Sequence, residues 1–257
     1  VLHSCAALEK QGFEVVRLMP DKQGRITEQQ VFDAVNSDTI LVSMMYVNNE
    51  VGSVMPVKSI KKAVKRANAP ALIHIDCVQA FGKLEVKPSK LGADLVTVTA
   101  HKIHGPKGVG ALYVKKGTRI LPRVFGGEQE KKLRPGTEAI PLIAGFGVAA
   151  DLIPDLKKQS EKIKEINAYA KEGLLTVPGV KINSGDDASD YIINLFVPTF
   201  MTSQTVVQHL SSKYGVYVSN GSACAKGKRS HVLTAMKLDD KIIEKSIRVS
   251  FSRTTTK

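Results

Sequence analysis

Residues 95–114, LVTVTAHKIHGPKGVGALYV, decide the fold of this chain. Apolar and threonine residues alternate from Leu95 to Thr99, as in a half-buried strand, and a Gly/Pro-rich turn separates them from a second apolar run at Gly110 to Val114. Lys102 stands in the turn between the two runs. Upstream, ALIHIDCVQA (71–80) reads as a short apolar strand over Ala71 to Ile75 that ends at Asp76. Further out, Thr39 to Met45 is a strand candidate running into the polar turn VNNEVG (47–52). Pro56 to Asn68 places apolar residues at helical spacing with lysines opposite, and Thr27 to Val35 reads as a helix with Thr27 and Gln30 in a capping-box arrangement.

Strands alternating with helices of about a dozen residues indicate βαβ units and a largely parallel sheet. Ligands of such sheets bind beyond the carboxyl ends of the strands, where Asn49, Asp76 and Lys102 all fall. Before these elements, Val1 to Gln11 reads as the back half of a helix and Gly12 to Leu18 as a strand, so the chain starts inside an element, without an initiator Met. After them, the basic stretch GGEQEKKLRPGTE leads into one long helical pattern from about Pro141 to Leu174, within which a domain boundary is expected. A strand at Tyr191 to Val197, a helix near Gln204 to Ser212, the loop SNGSACAKGKRSH and a strand at Ser246 to Phe251 complete an α+β remainder. The expected division is a large domain over 1–155 and a smaller C-terminal domain over 156–257 that carries the cysteine loop.

The chain has 257 residues, 43% hydrophobic, enough for a sizeable core. No apolar stretch approaches the roughly 18 residues of a spanning helix, and the start lacks a secretory pattern. No membrane association and a cytoplasmic location are expected. Cys5, Cys77 and Cys224 are too few and too scattered for a disulfide framework or a metal clip, so no metal site is expected. A net charge of +13 is compatible with nucleic acid, an acidic partner or solubility alone. The basic residues are scattered and aromatics amount to 5% with no Trp, which leaves few base-stacking platforms and disfavours nucleic acid.

An amine on a turn with a carboxylate at the preceding strand end is the minimum equipment for holding pyridoxal 5'-phosphate. That cofactor withdraws electrons into a protonated pyridine ring, and a carboxylate against the ring nitrogen keeps the proton there. Asp76 is placed for that task. Gln79 and Asn49 can hydrogen-bond the ring hydroxyl, Thr99 can offer a hydroxyl to the phosphate, and His101 can stack or shuttle a proton. Taken singly, these residues have ordinary readings: a strand-end Asp caps a turn, a Lys before Gly-Pro is solvated, a lone His is satisfied. Their combination after consecutive strands favours a site. Cys224 lies among Gly221, Ser222, Ala223, Ala225 and Gly227, a loop composition, with Lys226, Lys228 and Arg229 favouring the thiolate. Cys5 and Cys77, in apolar segments, read as small buried hydrophobes. Arg248 in SIRVSFSR can place its fork on a substrate carboxylate or join a structural ion pair.

With VNNEVG, HIDCVQAFGK, TAHKIHGPKGVGALYV, LRPGTE, SNGSACA and SIRVSFSR in this order, the chain resembles the cysteine desulfurases, class V members of the fold-type I pyridoxal phosphate enzymes. The resemblance covers nearly the whole chain. It implies an α/β fold-type I large domain with a mainly parallel sheet plus a smaller α+β C-terminal domain. By position, it implies that Lys102 holds the cofactor, that Asp76 pairs with the ring nitrogen, and that Gln79 and Asn49 bind the ring hydroxyl region. It implies Thr99 and His101 on the phosphate, Thr137 reaching the phosphate of the other subunit of a homodimer, Arg248 on the substrate and Cys224 taking the sulfur. The activity implied is conversion of L-cysteine to L-alanine, with sulfur passed as a persulfide toward an acceptor or scaffold protein for iron–sulfur cluster or thiolation pathways. Relative to the family the chain reads as N-terminally truncated: a phosphate loop and a ring-stacking histidine are not found before Val1, and His3 does not take the stacking position. The sheet is therefore expected to leave apolar surface and an unpaired edge. Tyr191 replaces a proline common in the family. The alternatives are a related pyridoxal phosphate lyase or aminotransferase, and a cofactor-free fragment that folds with a partner chain.

Overall fold

The computed structural model describes residues 1–221 and 229–257. Four strands, β1 (Leu41–Met45), β2 (Leu72–Asp76), β3 (Leu95–Thr99) and β4 (Gly110–Val114), form one sheet in that order. The first three are parallel and β4 returns antiparallel to β3. The register sets Met45, Asp76, Thr97 and Leu112 in one row across the sheet. The intervening residues Ile73, Ile75 and Val96 point the other way into the core, as the period of two requires. There they meet Val31 of α2 (Glu28–Ala34) and Val57, Ile60 and Ala63 of α3 (Val57–Arg66), the face that the helical spacing marks as apolar. The capping box of α2 is present: Thr27 Oγ1 accepts from the Gln30 N–H and the Gln30 side chain accepts from the Thr27 N–H.

The opposite face of the sheet is open, with Leu41, Met45 and Leu112 exposed. The segment 12–18 is not a strand. Its alternation has no neighbouring backbone to pair with among the described residues, and Phe13 and Val16 stay exposed. The helix α1 (Leu2–Glu9) before it buries no residue.

The single long helix expected over 141–174 is two, α5 (Ile140–Asp151) and α6 (Leu156–Leu175). Pro154 separates them, since its ring removes an N–H and disfavours helical backbone at Ile153. Asp155 then caps α6 by accepting the Lys158 N–H at 2.9 Å. A second sheet, antiparallel in the order β5 (Lys181–Ile182), β6 (Ile192–Phe196) and β7 (Ser246–Ser250), packs Ile193, Leu195 and Ile247 on Val206. Val206 belongs to α7 (Ser203–Tyr214). The short helices are α4 (Pro88–Leu91) after β2, and α8 (His231–Ala235) and α9 (Asp240–Glu244) before β7.

The turn 48–52 ties the two sheets. Asn48 Oδ1 accepts from the N–H groups of Glu50 and Val51, which folds the turn on itself. The second sheet then docks on it: Arg248 donates to the Asn49 carbonyl at 2.7 Å, Asn194 to the Glu50 carbonyl at 3.3 Å, and the Ser189 N–H to the Gly52 carbonyl at 2.8 Å. Gly52 has φ +78°, and a Cβ there would stand 3.2 Å from Ile192 Cβ, so the sheet can approach only a glycine.

Candidate functional site

Lys102 ends a 3-10 turn, Ala100–Lys102, just after β3. The Ala100 carbonyl accepts from the N–H groups of both Ile103 and Gly105, winding the turn tightly around a fully buried alanine. Lys102 thereby faces a hollow of about 270 Å³ between the two sheets. Asn49, Gln79, His101 and Arg248 line the same hollow. Five of the residues expected at a site thus meet in one place, brought from three turns of the first sheet and from strand β7 of the second.

Asp76, Thr99 and Thr137 are not in that lining. Asp76 ends β2, half-buried, on the sheet face opposite the core, and its Oδ1 accepts the Val78 N–H at 2.9 Å. This is the ordinary strand-end turn, and a carboxylate keeps further acceptor capacity beyond it. Thr99 donates to the Val109 carbonyl at 3.2 Å and lies 2.9 Å from His101 Nδ1. The contact ties the imidazole to the end of β3 whichever of its two nitrogens carries the proton. Partial desolvation, then Lys102 and Lys107, lower the His101 pKa and favour the neutral ring. Thr137 is exposed in an irregular segment. Cys224 lies outside the described residues.

Arg248 is more deeply held than an exposed ion pair would be. Burial lowers its pKa, Glu50 acting the other way, and its Nε is buried with no hydrogen-bond partner among the described residues. Arg229, next to the cysteine loop, pairs with Asp240 and Glu244 at 2.9 and 2.8 Å. Cys77 is fully buried, as expected, and burial followed by Asp76 pushes its thiol up to about 12. Cys5 is only half-buried, because α1 buries none of its residues.

Sequence reasoning missed several lining residues. Lys83, in the quoted HIDCVQAFGK, donates to Gln79 Oε1 at 3.2 Å, and its ammonium lies 5.4 Å from the Tyr191 ring centre. Burial, then the charges of Lys102 and Arg248, push it down to about 8. Gln159 of α6 donates to the Tyr191 hydroxyl and to the Gly82 carbonyl, and its own Oε1 is buried without a partner. Tyr191 thus forms part of the wall. Spacing of four between Gln79 and Lys83 was the available signal for Lys83; Gln159 gave none, and Tyr191, marked in the sequence only as replacing a family proline without consequence for the site, does line it. No carboxylate lines the hollow among the described residues, whereas Lys83, Lys102, Arg248 and Arg253 all do. Such a lining suits a ligand with more than one anionic group.

The model of the family described as "Aminotransferase class-V" matches residues 1–257. The chain belongs to the aminotransferase class-V family. Among class-V relatives, "Cysteine desulfurase IscS" of Methanosarcina thermophila is 38% identical over 260 residues, covering 100% of this chain and 63% of its own length. "Cysteine desulfurase 2" of Trichormus variabilis is 38% identical over 259 residues, covering 100% and 64%. The chain therefore spans under two thirds of the length of these relatives. Among solved structures, a "NIFS-LIKE PROTEIN" superposes with a TM-score of 0.90 at 34% identity, over 100% of this chain and 67% of the other. "SspA in complex with cysteine" gives 0.80 at 34%, over 97% and 70%. The mainly parallel α/β fold expected from the sequence is the class-V fold found here.

Proposed function

We propose that this class-V chain works as a pyridoxal-phosphate-dependent cysteine desulfurase, taking sulfur from L-cysteine onto Cys224 and releasing L-alanine. One observation carries the reading: an amine, Lys102, and a half-buried arginine, Arg248, whose buried Nε has no partner among the described residues, line a single hollow that no described carboxylate lines. The relatives named as cysteine desulfurases support it, as does the similar protein solved with cysteine.

The residues present fit the cofactor. Cationic lining suits its phosphate, Lys102 offers the amine that would hold its aldehyde, and Gln79 and Asn49 offer amides to its hydroxyl. Asp76 is assigned the ring nitrogen and Thr99 the phosphate. Thr137 is assigned to the phosphate of a second subunit in a homodimer. When bound, pyridoxal phosphate supplies an electron sink for the substrate's α-carbon.

The chain's own groups do the rest. Arg248 fixes the substrate carboxylate with its planar fork, fastened by the Asn49 carbonyl. The Lys102 amine takes and returns the proton at the substrate α-carbon, and the His101 imidazole accepts a proton beside it. The Cys224 thiolate attacks the substrate sulfur: an S–S bond forms, the Cβ–S bond breaks, and the electron pair left on carbon takes a proton to give alanine. A persulfide remains on Cys224 for an acceptor or scaffold protein, whose encounter with an acidic surface the charge of +13 would speed. A cytoplasmic site of action goes with this reading. No helix among the described residues is long and apolar enough to cross a membrane.

The protein mixed with pyridoxal phosphate should show a visible absorption band, erased by borohydride with the label on Lys102. Cys224→Ser should then abolish persulfide formation from labelled L-cysteine, to which an aminotransferase would be indifferent. A protein that stays colourless in added cofactor defeats the proposal.

A further inference from the structure

Of the two cations of the hollow to which no role has been given, Arg253 is engaged with the Leu152 carbonyl, which leaves Lys83. It stands in the turn after β2, half-buried, with three donor directions. Its two closest partners, the Gln79 amide oxygen and the Tyr191 ring, are neutral. The charged and titratable groups around it are Lys102, His101 and His104 from the turn after β3, Arg248 of β7, Arg253 beyond it, and the hydroxyl of Tyr191. None is an acid. Arg248, from the other sheet, keeps a buried Nε with no partner among the described residues. Two cations from different sheets therefore repel each other around one space while retaining donor capacity, and a single anion between them would relieve both.

We propose that Lys83 and Arg248 together grip one carboxylate, the α-carboxylate of the amino-acid substrate, between the first sheet and the second. The inference rests on reading the hollow as an amino-acid site and adds Lys83 to it. The bound anion stabilises the Lys83 ammonium. Because that group is already pushed down to about 8 in the free protein, binding raises its midpoint and takes up a proton from about pH 8 upward. Ligands with a neutral amide in place of the carboxylate gain nothing from either cation.

The test is NMR of protein labelled with ¹⁵N and ¹³C in lysine and arginine, the Lys83 signal assigned by its loss in Lys83→Arg. Propionate is the probe and propionamide its neutral control. Lys83 should titrate near pH 8 in the free protein and at higher pH with saturating propionate, while propionamide leaves it unmoved. Lys83→Gln should weaken propionate roughly tenfold or more, as for a lost charge-assisted hydrogen bond, and Lys83→Arg should retain binding. A Lys83 midpoint unmoved by propionate that does shift the Arg248 Nε signal overturns the proposal, as does propionate that moves neither. Turnover separates this inference from the desulfurase reading. Persulfide formation by Lys83→Gln with unchanged KM for L-cysteine would remove the Lys83 assignment alone. A Lys83 shift in a protein that forms no persulfide would keep the anion grip and remove the desulfurase.

Discussion

At the scale of single residues, burial sorts the thiols. Cys77 has no contact with solvent and a thiol pushed up to about 12, so on the order of one in ten thousand is ionised at pH 8. Iodoacetamide at pH 8 should modify Cys5, on the unpacked α1, and leave Cys77 intact until urea is added; peptide mapping by mass spectrometry reads both. Alkylation of Cys77 in the native protein would contradict the packing described. The residues that cooperate on one ligand were legible only in part. Asn49, Gln79, His101 and Lys102 could be found because strand tips carry ligands and polar residues there are conspicuous; Arg248, in the middle of β7, had two readings until the family resemblance favoured the substrate. Lys83 was hidden by its type, since a lysine near a turn is usually solvated. Tyr191 and Gln159 were hidden by distance, because the wall they share joins β6 to α6 and no sequence period links the two.

At the scale of elements, the turn that carries Lys102 depends on a missing side chain. A Cβ on Gly105 would stand 2.9 Å from Ala100 Cβ and 3.0 Å from both the Ala100 carbonyl oxygen and Ala149 Cβ, none of which can swing away. Gly105→Ala is expected to cost about 1–3 kcal/mol by overpacking and to displace the lysine. Urea denaturation should report the first effect and a lower yield of borohydride-fixed cofactor on Lys102 the second. β3 and β4 were placed by sequence to the residue, because alternating runs bounded by glycine admit one reading. The failures had local causes: Pro154 broke a helix whose periodicity continued across it, and 12–18 alternates without a partner strand. The short α4, α8 and α9 are one or two turns long, too brief for a period to register.

At the scale of the whole molecule, the two sheets are held together by polar contacts on the turn 48–52. Glu50 is fully buried there; its Oε2 accepts from the Ser230 hydroxyl and its Oε1 has no partner among the described residues. The Ser230 hydroxyl also accepts the Leu233 N–H at 3.1 Å, capping α8. Ser230→Ala should therefore remove a cap and strip a buried carboxyl of a side-chain donor, for a loss of about 2–4 kcal/mol by the sum of the two effects. Chemical denaturation checks the size. An effect confined to a few tenths would mean that the turn is not the fastening described.

The hollow has one bank on each sheet, with Lys102 on one and Arg248 on the other, so it exists only while the halves are docked. Any molecule that fills it behaves as a rivet. A ligand held only by the closed form, present at a hundred times its dissociation constant, would add about 2.7 kcal/mol against separation of the halves. Cargo and scaffold would then share one fate, and the melting temperature would climb with ligand concentration.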